Sequence, residues 1–121
     1  MALEISQREV NGVYVLSLKG RLVLGDESGG FRSTVENLLK TGANKIVINL
    51  EGINYVDSAG LGAIIEAHRN TKARGGHLKL CNLGPKFRQA LEFVRLINIF
   101  ETFPTESAAL QSFQSSAAES A

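Results

Sequence analysis

The chain holds one cysteine, Cys81, so no internal disulfide can staple it, and a reducing compartment is the expected setting. No apolar run approaches the roughly 20 residues of a membrane span, and the N-terminus has no long apolar core of a leader. The expected location is therefore cytoplasmic, without a membrane partner. Charge of one sign is also missing: 13 Lys and Arg against 12 Asp and Glu leave +1. That balance gives no broad footprint for nucleic acid and no polybasic patch for lipid. Two histidines, His68 and His77, stand apart from any acidic cluster, so no metal set forms and no cofactor is called for.

What is present fits one domain, because 121 residues at 44% hydrophobic content can bury a sizeable core. The opening "LEISQREVNGVYVLSLKG" reads as strands at 3–10 and 13–18, with Asn11-Gly12 as a hairpin turn. "GRLVLGDESGG" reads as a loop. Phe31, Val35, Leu38 and Leu39 then draw one stripe along a helix over 31–41 that Gly42 can close. "KIVINL", 45–50, is a β-branched run suited to an interior strand, and "EGINYV" reads as the turn after it.

Leu61, Ile64, Ile65 and His68 predict a helix over 58–72, ended by Gly75-Gly76. "HLKLCNL" supplies a strand. Pro85 opens a helix to about Arg95 through Phe87, Leu91 and Val94, and "NIFETF" is a short strand. Pro104-Thr105-Glu106 opens a last helix carrying Leu110 and Phe113, and 114–121 reads as a fraying tail beyond a domain of 1–113. The order β-β-α-β-α-β-α-β-α predicts an α/β domain with a mixed sheet, an N-terminal hairpin and about four packed helices.

Chemistry concentrates in "VDSAGLGAII". A helix starting there leaves its first N–H groups without intrahelical partners, and the Asp57 carboxylate can accept from Ala59 or Gly60. Ser58 then keeps its hydroxyl free at the first helical position. Ala59, Gly60 and Gly62 carry little side chain, so a partner could approach closely. A phosphate on Ser58 would sit at the positive end of the helix dipole and add about −1.5 to −2 charge. The plainer reading, a capped helix start with glycines for packing, rests on the same residues. A serine-nucleophile reading lacks G-x-S-x-G and a base, and a dinucleotide reading lacks the third glycine, replaced by Ile65. His68 and Cys81 read as packing residues, and Arg69, Lys72 and Arg74 as the solvated side and end of their helix.

From "VLSLKGRLV" through the D-S-A-G-L-G turn, "RGGHLKL" and "LINIFETFPTESAAL", the chain resembles the STAS family, and within it the bacterial anti-sigma-factor antagonists. Asp57, Ser58, Ala59, Gly60, Leu61 and Gly62 match the family's D-S-[SA]-G-[LI]-G turn position by position. The resemblance implies a regulator and not an enzyme. Its unphosphorylated form would bind an anti-sigma factor that is also a serine kinase, freeing a sigma factor. Phosphorylation at Ser58 would end the binding, and a serine phosphatase would restore it. It implies Asp57 to Gly62 as the partner surface, in a monomer or weak dimer. Many antagonists carry an acid two residues after the arginine of the "GRL" segment, where this chain has Val23, and Asp26 is the nearby candidate to supply it. A scaffold subunit of a larger stress-signalling assembly is the alternative role for the same domain.

Overall fold

Alternation along the second strand decides how the molecule is layered. In the computed structural model, which describes residues 3–120 and side chains through 114, β1 spans Leu3–Val10 and β2 Val13–Leu22. Leu16 and Leu18 of β2 face one buried cluster, while Val13 and Val15 face another. Successive side chains on a strand point to opposite faces, so the sheet is covered on both.

The remaining elements are α1 (Asp26–Lys40), β3 (Lys45–Val56), α2 (Ser58–Ala73), β4 (His77–Cys81), α3 (Pro85–Phe93), β5 (Glu101–Phe103) and α4 (Glu106–Ser120). The sheet runs β1-β2-β3-β4-β5, antiparallel only between β1 and β2 and parallel thereafter. The expected mixed sheet, its opening hairpin and four helices are all there. Asn11 and Gly12 take positive φ of 51° and 84°, as a two-residue primed turn requires.

The larger cluster joins Ile46, Ile48 and Leu50 of β3 and Leu78 and Leu80 of β4 to Phe31, Val35, Leu38 and Leu39 of α1 and Ile64 of α2. On the other face, Val47 and Cys81 meet Ala109 and Phe113 of α4. Burial pushes the Cys81 thiol up to about 12. Lys79 is also buried there, its Nζ donating to Ser112 Oγ at 2.8 Å, lying 4.1 Å from the Phe113 ring centre and 3.5 Å from a Glu101 oxygen. Glu106 ties α4 to the sheet through Arg8 and through Asn49 Nδ2 at 3.0 Å.

Several expected boundaries move. The loop "GRLVLGDESGG" contributes the last residues of β2 and the first turn of α1, which starts at Asp26 and not Phe31. "EGINYV" is no turn: it continues β3, pairing Lys19 with Gly52, Arg21 with Tyr55 and Leu22 with Val56 across two register irregularities. Gly52 is a turn signal by type, yet a Cβ there would stand 2.7 Å from the Leu18 carbonyl oxygen, so the glycine marks close strand contact. The expected strand over 98–103 shrinks to Glu101–Phe103, because turns occupy the residues before it. Helix α3 ends at Phe93, where Arg95 takes φ of 59° and the Leu96 N–H closes on the Leu91 carbonyl at 2.8 Å. Arg74 is not merely solvated, since Nη1 donates to the Leu39 carbonyl at the end of α1 at 2.9 Å. Backbone helix continues to Ser120 through the stretch read as a tail, whose side chains beyond 114 lie outside the described residues.

Leu38 sits in the seam between α1 and the sheet, only 5% exposed. Leu38→Ala should cost about 2–5 kcal/mol in urea unfolding. A near-zero loss would mean that α1 does not pack through this stripe.

Candidate functional site

The site forms where β2 and β3 end side by side and α2 begins. Leu22 is the last residue of β2, and its carbonyl accepts from the Asp57 N–H at 3.3 Å. Asp57 is extended, with φ of −102°, and caps α2: Oδ1 accepts from the Gly60 N–H at 2.8 Å. Oδ2 accepts from the Leu24 N–H at 3.0 Å. One carboxylate therefore binds the β2–α1 loop to the start of α2. These backbone donations, Leu24 first and then Gly60, hold the Asp57 carboxyl below its ordinary value.

With Asp57 capping, Ser58 stands exposed as the first residue of α2. Ala59 is half-buried. Gly60 is buried, and a Cβ would lie 2.1 Å from the Leu22 carbonyl oxygen. Its role is to let α2 start against the end of β2. Leu61 is 8% exposed and turns mostly into the core. At Gly62 a Cβ would meet no neighbouring atom within 4 Å, so this position fits the expected small, open surface. Asp26 is exposed in the first turn of α1, where the dipole favours an acid. Its loop is fixed beside Asp57 by the Leu24 contact and by the Ser28 N–H donating to the Val23 carbonyl at 3.0 Å.

The residue pattern alone did not reveal the neighbourhood of Ser58. A groove of about 490 Å³ separates Ser58 from α3, lined among others by Val56, Leu61, Lys86, Ala90, Phe93 and Val94. A second hollow shares Val56 and Lys86 with it and runs under Tyr55 and Pro85. Phe93 is 87% exposed, Leu24 75% and Tyr55 52%, and Arg21 lies 5.4 Å from the Tyr55 ring centre. Phe93 falls off the stripe of Phe87 and Leu91, and that misplacement is the signal available in the sequence. Val94, counted on the stripe, is exposed because the helix has ended.

His68 packs edge to face on Phe100 at 4.8 Å, and burial lowers its pKa. Among the described residues, no three His, Cys, Asp or Glu side chains gather as a metal site would need. No described helix is long and apolar enough to cross a membrane.

With an extended acid capping a helix at the end of paired parallel strands and a serine exposed beside it, the chain belongs to the STAS domain family, whose model matches residues 4–109. It is 26% identical to the anti-sigma F factor antagonist of Paenibacillus polymyxa over 91% of this chain and 94% of that one. It superposes on a Thermotoga maritima protein provisionally described as an anti-sigma factor antagonist with a TM-score of 0.84, at 25% identity over 89% and 92% of the two chains. It is also similar in fold to the anti-sigma factor antagonist SpoIIAA in its unphosphorylated form, with a TM-score of 0.74, 23% identity and coverage of 92% and 98%. The phosphorylated form of SpoIIAA, from Bacillus, gives 0.74 and 24% over 91% and 99%.

The two glycines should part in sign. Gly60→Ala should lower stability by about 1–3 kcal/mol or more through overlap with the β2 backbone, whereas Gly62→Ala, at an open helical position, should raise it by about 0.5–1 kcal/mol. Urea unfolding of both checks this, and a stable Gly60→Ala protein would refute the close approach. Asp57 makes a second test. Its folded pKa is depressed, so its stabilisation is present above the unfolded value near ~3.9 and is lost as pH falls through the lower folded value. Thermal melts across that acid range should fall less steeply for Asp57→Asn than for the parent, and parallel curves would show that the carboxylate is not held as described.

Proposed function

We propose that the chain is an anti-sigma factor antagonist switched at Ser58: unmodified, it binds a cognate anti-sigma factor that is also a serine kinase, and so frees a sigma factor. A phosphate on Ser58 ends the binding, and a serine phosphatase restores it. The protein acts in the cytoplasm, without catalysis of its own, as a monomer or weak dimer. The carrying observation is the division of labour at the start of α2, where Asp57 takes the cap and leaves an exposed Ser58 hydroxyl beside exposed apolar residues.

A kinase needs a hydroxyl it can reach, and Ser58 offers an exposed one that makes no side-chain hydrogen bond among the described residues. Ser28, by contrast, is only 1% exposed. Once added, the phosphate lies at the positive end of α2, so the fold tolerates it. That SpoIIAA has one fold match at 0.74 in both its unphosphorylated and phosphorylated forms supports a change of surface and not of fold. A partner seated on Leu24, Ser58 and Phe93 would instead meet a new dianion pressed into its interface. Like-charge and desolvation costs of roughly 3 kcal/mol would weaken binding about a hundredfold.

Incubation with the cognate kinase and ATP should add one phosphate, located on Ser58 by tandem mass spectrometry and absent from Ser58→Ala. Calorimetric titration should show tight binding of the unmodified form, about hundredfold weaker binding of the phosphorylated form, and a partial loss for Ser58→Asp, which carries less charge. Melts of the free proteins should not fall on phosphorylation. Equal affinities, or phosphate found on other serines, would sink this reading. Elution as a large particle would favour the scaffold role.

A further inference from the structure

We propose that Lys86 is the residue that receives the phosphate of Ser58, closing the adjoining groove with its own side chain. The inference rests on Ser58 being the modified residue and adds how the modified state is held. Lys86 and Ser58 line the same groove between α2 and α3. Of the ionisable side chains along that groove, Asp57 already has both oxygens engaged, by the Gly60 and Leu24 N–H groups. Lys86 has no hydrogen bond or ion pair among the described residues. It is the one cation among the residues lining the groove, and it forms no ion pair with Asp57, the carboxylate there.

Its position in α3 sharpens the point. Lys86 follows Pro85 in the first turn, where that helix carries no acidic residue and no side-chain cap. A cation at a helix N-terminus opposes the macrodipole, so local stability argues against a lysine there. An anion arriving from the facing helix would remove that conflict. The phosphate of Ser58 would enter beside the start of α2 with two negative charges and three acceptor oxygens, and an ammonium is a mobile point charge suited to meet it.

Lys86 also lines the neighbouring hollow with Val56. Drawn toward Ser58, its aliphatic stem would lie along the groove and cover apolar floor that a partner needs. Phosphorylation would thus act twice, by repelling the partner and by filling its seat.

The test uses the full chain with phosphoserine installed at Ser58 during translation, so no kinase is required. Phosphorus NMR follows the second ionisation of the phosphate across pH in the parent, in Lys86→Gln and in Arg88→Gln, an exposed basic site on α3 outside the groove. A paired lysine favours the dianion, so Lys86→Gln should raise that pKa by about 0.2 to 0.7 of a pH unit. The difference should shrink as salt is added, and Arg88→Gln should leave the curve in place. Superimposed curves for the parent and Lys86→Gln would overturn the assignment, as would an equal shift in Arg88→Gln, which would mark a diffuse charge effect. Circular dichroism establishes that each variant is folded. A kinase that ignores Ser58 would defeat the switch proposed above while leaving this titration readable, and a flat titration would defeat the Lys86 pairing alone.

Discussion

The carboxylate of Asp57 accepts from two backbone segments that lie 33 residues away along the chain at one end and three at the other. Because Oδ1 and Oδ2 go to different segments, the start of α2 and the loop after β2 cannot move independently without leaving an N–H unpaired. The Asp57 N–H meanwhile donates to Leu22, and the same Leu22 carbonyl lies where Gly60 leaves no room for a Cβ. Backbone contact, side-chain acceptance and an absent methyl group form one knot. The position of Ser58 follows from it, since the first residue of a helix goes where its cap is held.

Around that knot the molecule leaves apolar surface uncovered. Leu24, Tyr55, Phe93 and Val94 are among its exposed large hydrophobics, and each belongs to the loop, strand end or helix end that borders Asp57 and Ser58. The opposite face of the sheet is treated otherwise. There α4 covers Val13, Val15 and Val47, and even a lysine is enclosed, with Ser112, Glu101 and two aromatic rings as company. The fold hides a lysine on one side and leaves a phenylalanine exposed on the other.

The fold was largely legible because its signals were local and periodic. Asn-Gly between alternating strands, the Phe31-Val35-Leu38-Leu39 stripe and the β-branched "KIVINL" each state their own structure. The errors came where pairing between distant segments overrides local chemistry. Gly52 and Asn54 suggest a turn, yet the end of β2 holds them in a strand, and Asp26 to Gly30, poor helix material, are helical because α1 begins at the loop tied to Asp57. At the site, the cap and the exposed serine could be read from "DSAGLG". The inward turn of Gly60 and Leu61, and the groove brought by α3, could not. They depend on where Leu22 and Phe93 arrive in space, and the sequence marks only that Phe93 lies off the stripe of its helix.

Cys81 lies beneath α4 with no exposed surface, and burial holds its thiol in the unreactive protonated form. As the chain has a single cysteine, any thiol-specific reagent has one target, and that target, packed with Val47 and with Ala109 and Phe113 of α4, is reached only through a local or global opening. Labelling under native conditions therefore reports that opening, as the equilibrium share of open molecules when reclosing outpaces the reagent and as the opening rate when it does not. The same sulfur, which fills core space and accepts from Asn82 Nδ2 at 4.0 Å, thus makes the protein a recorder of its own breathing.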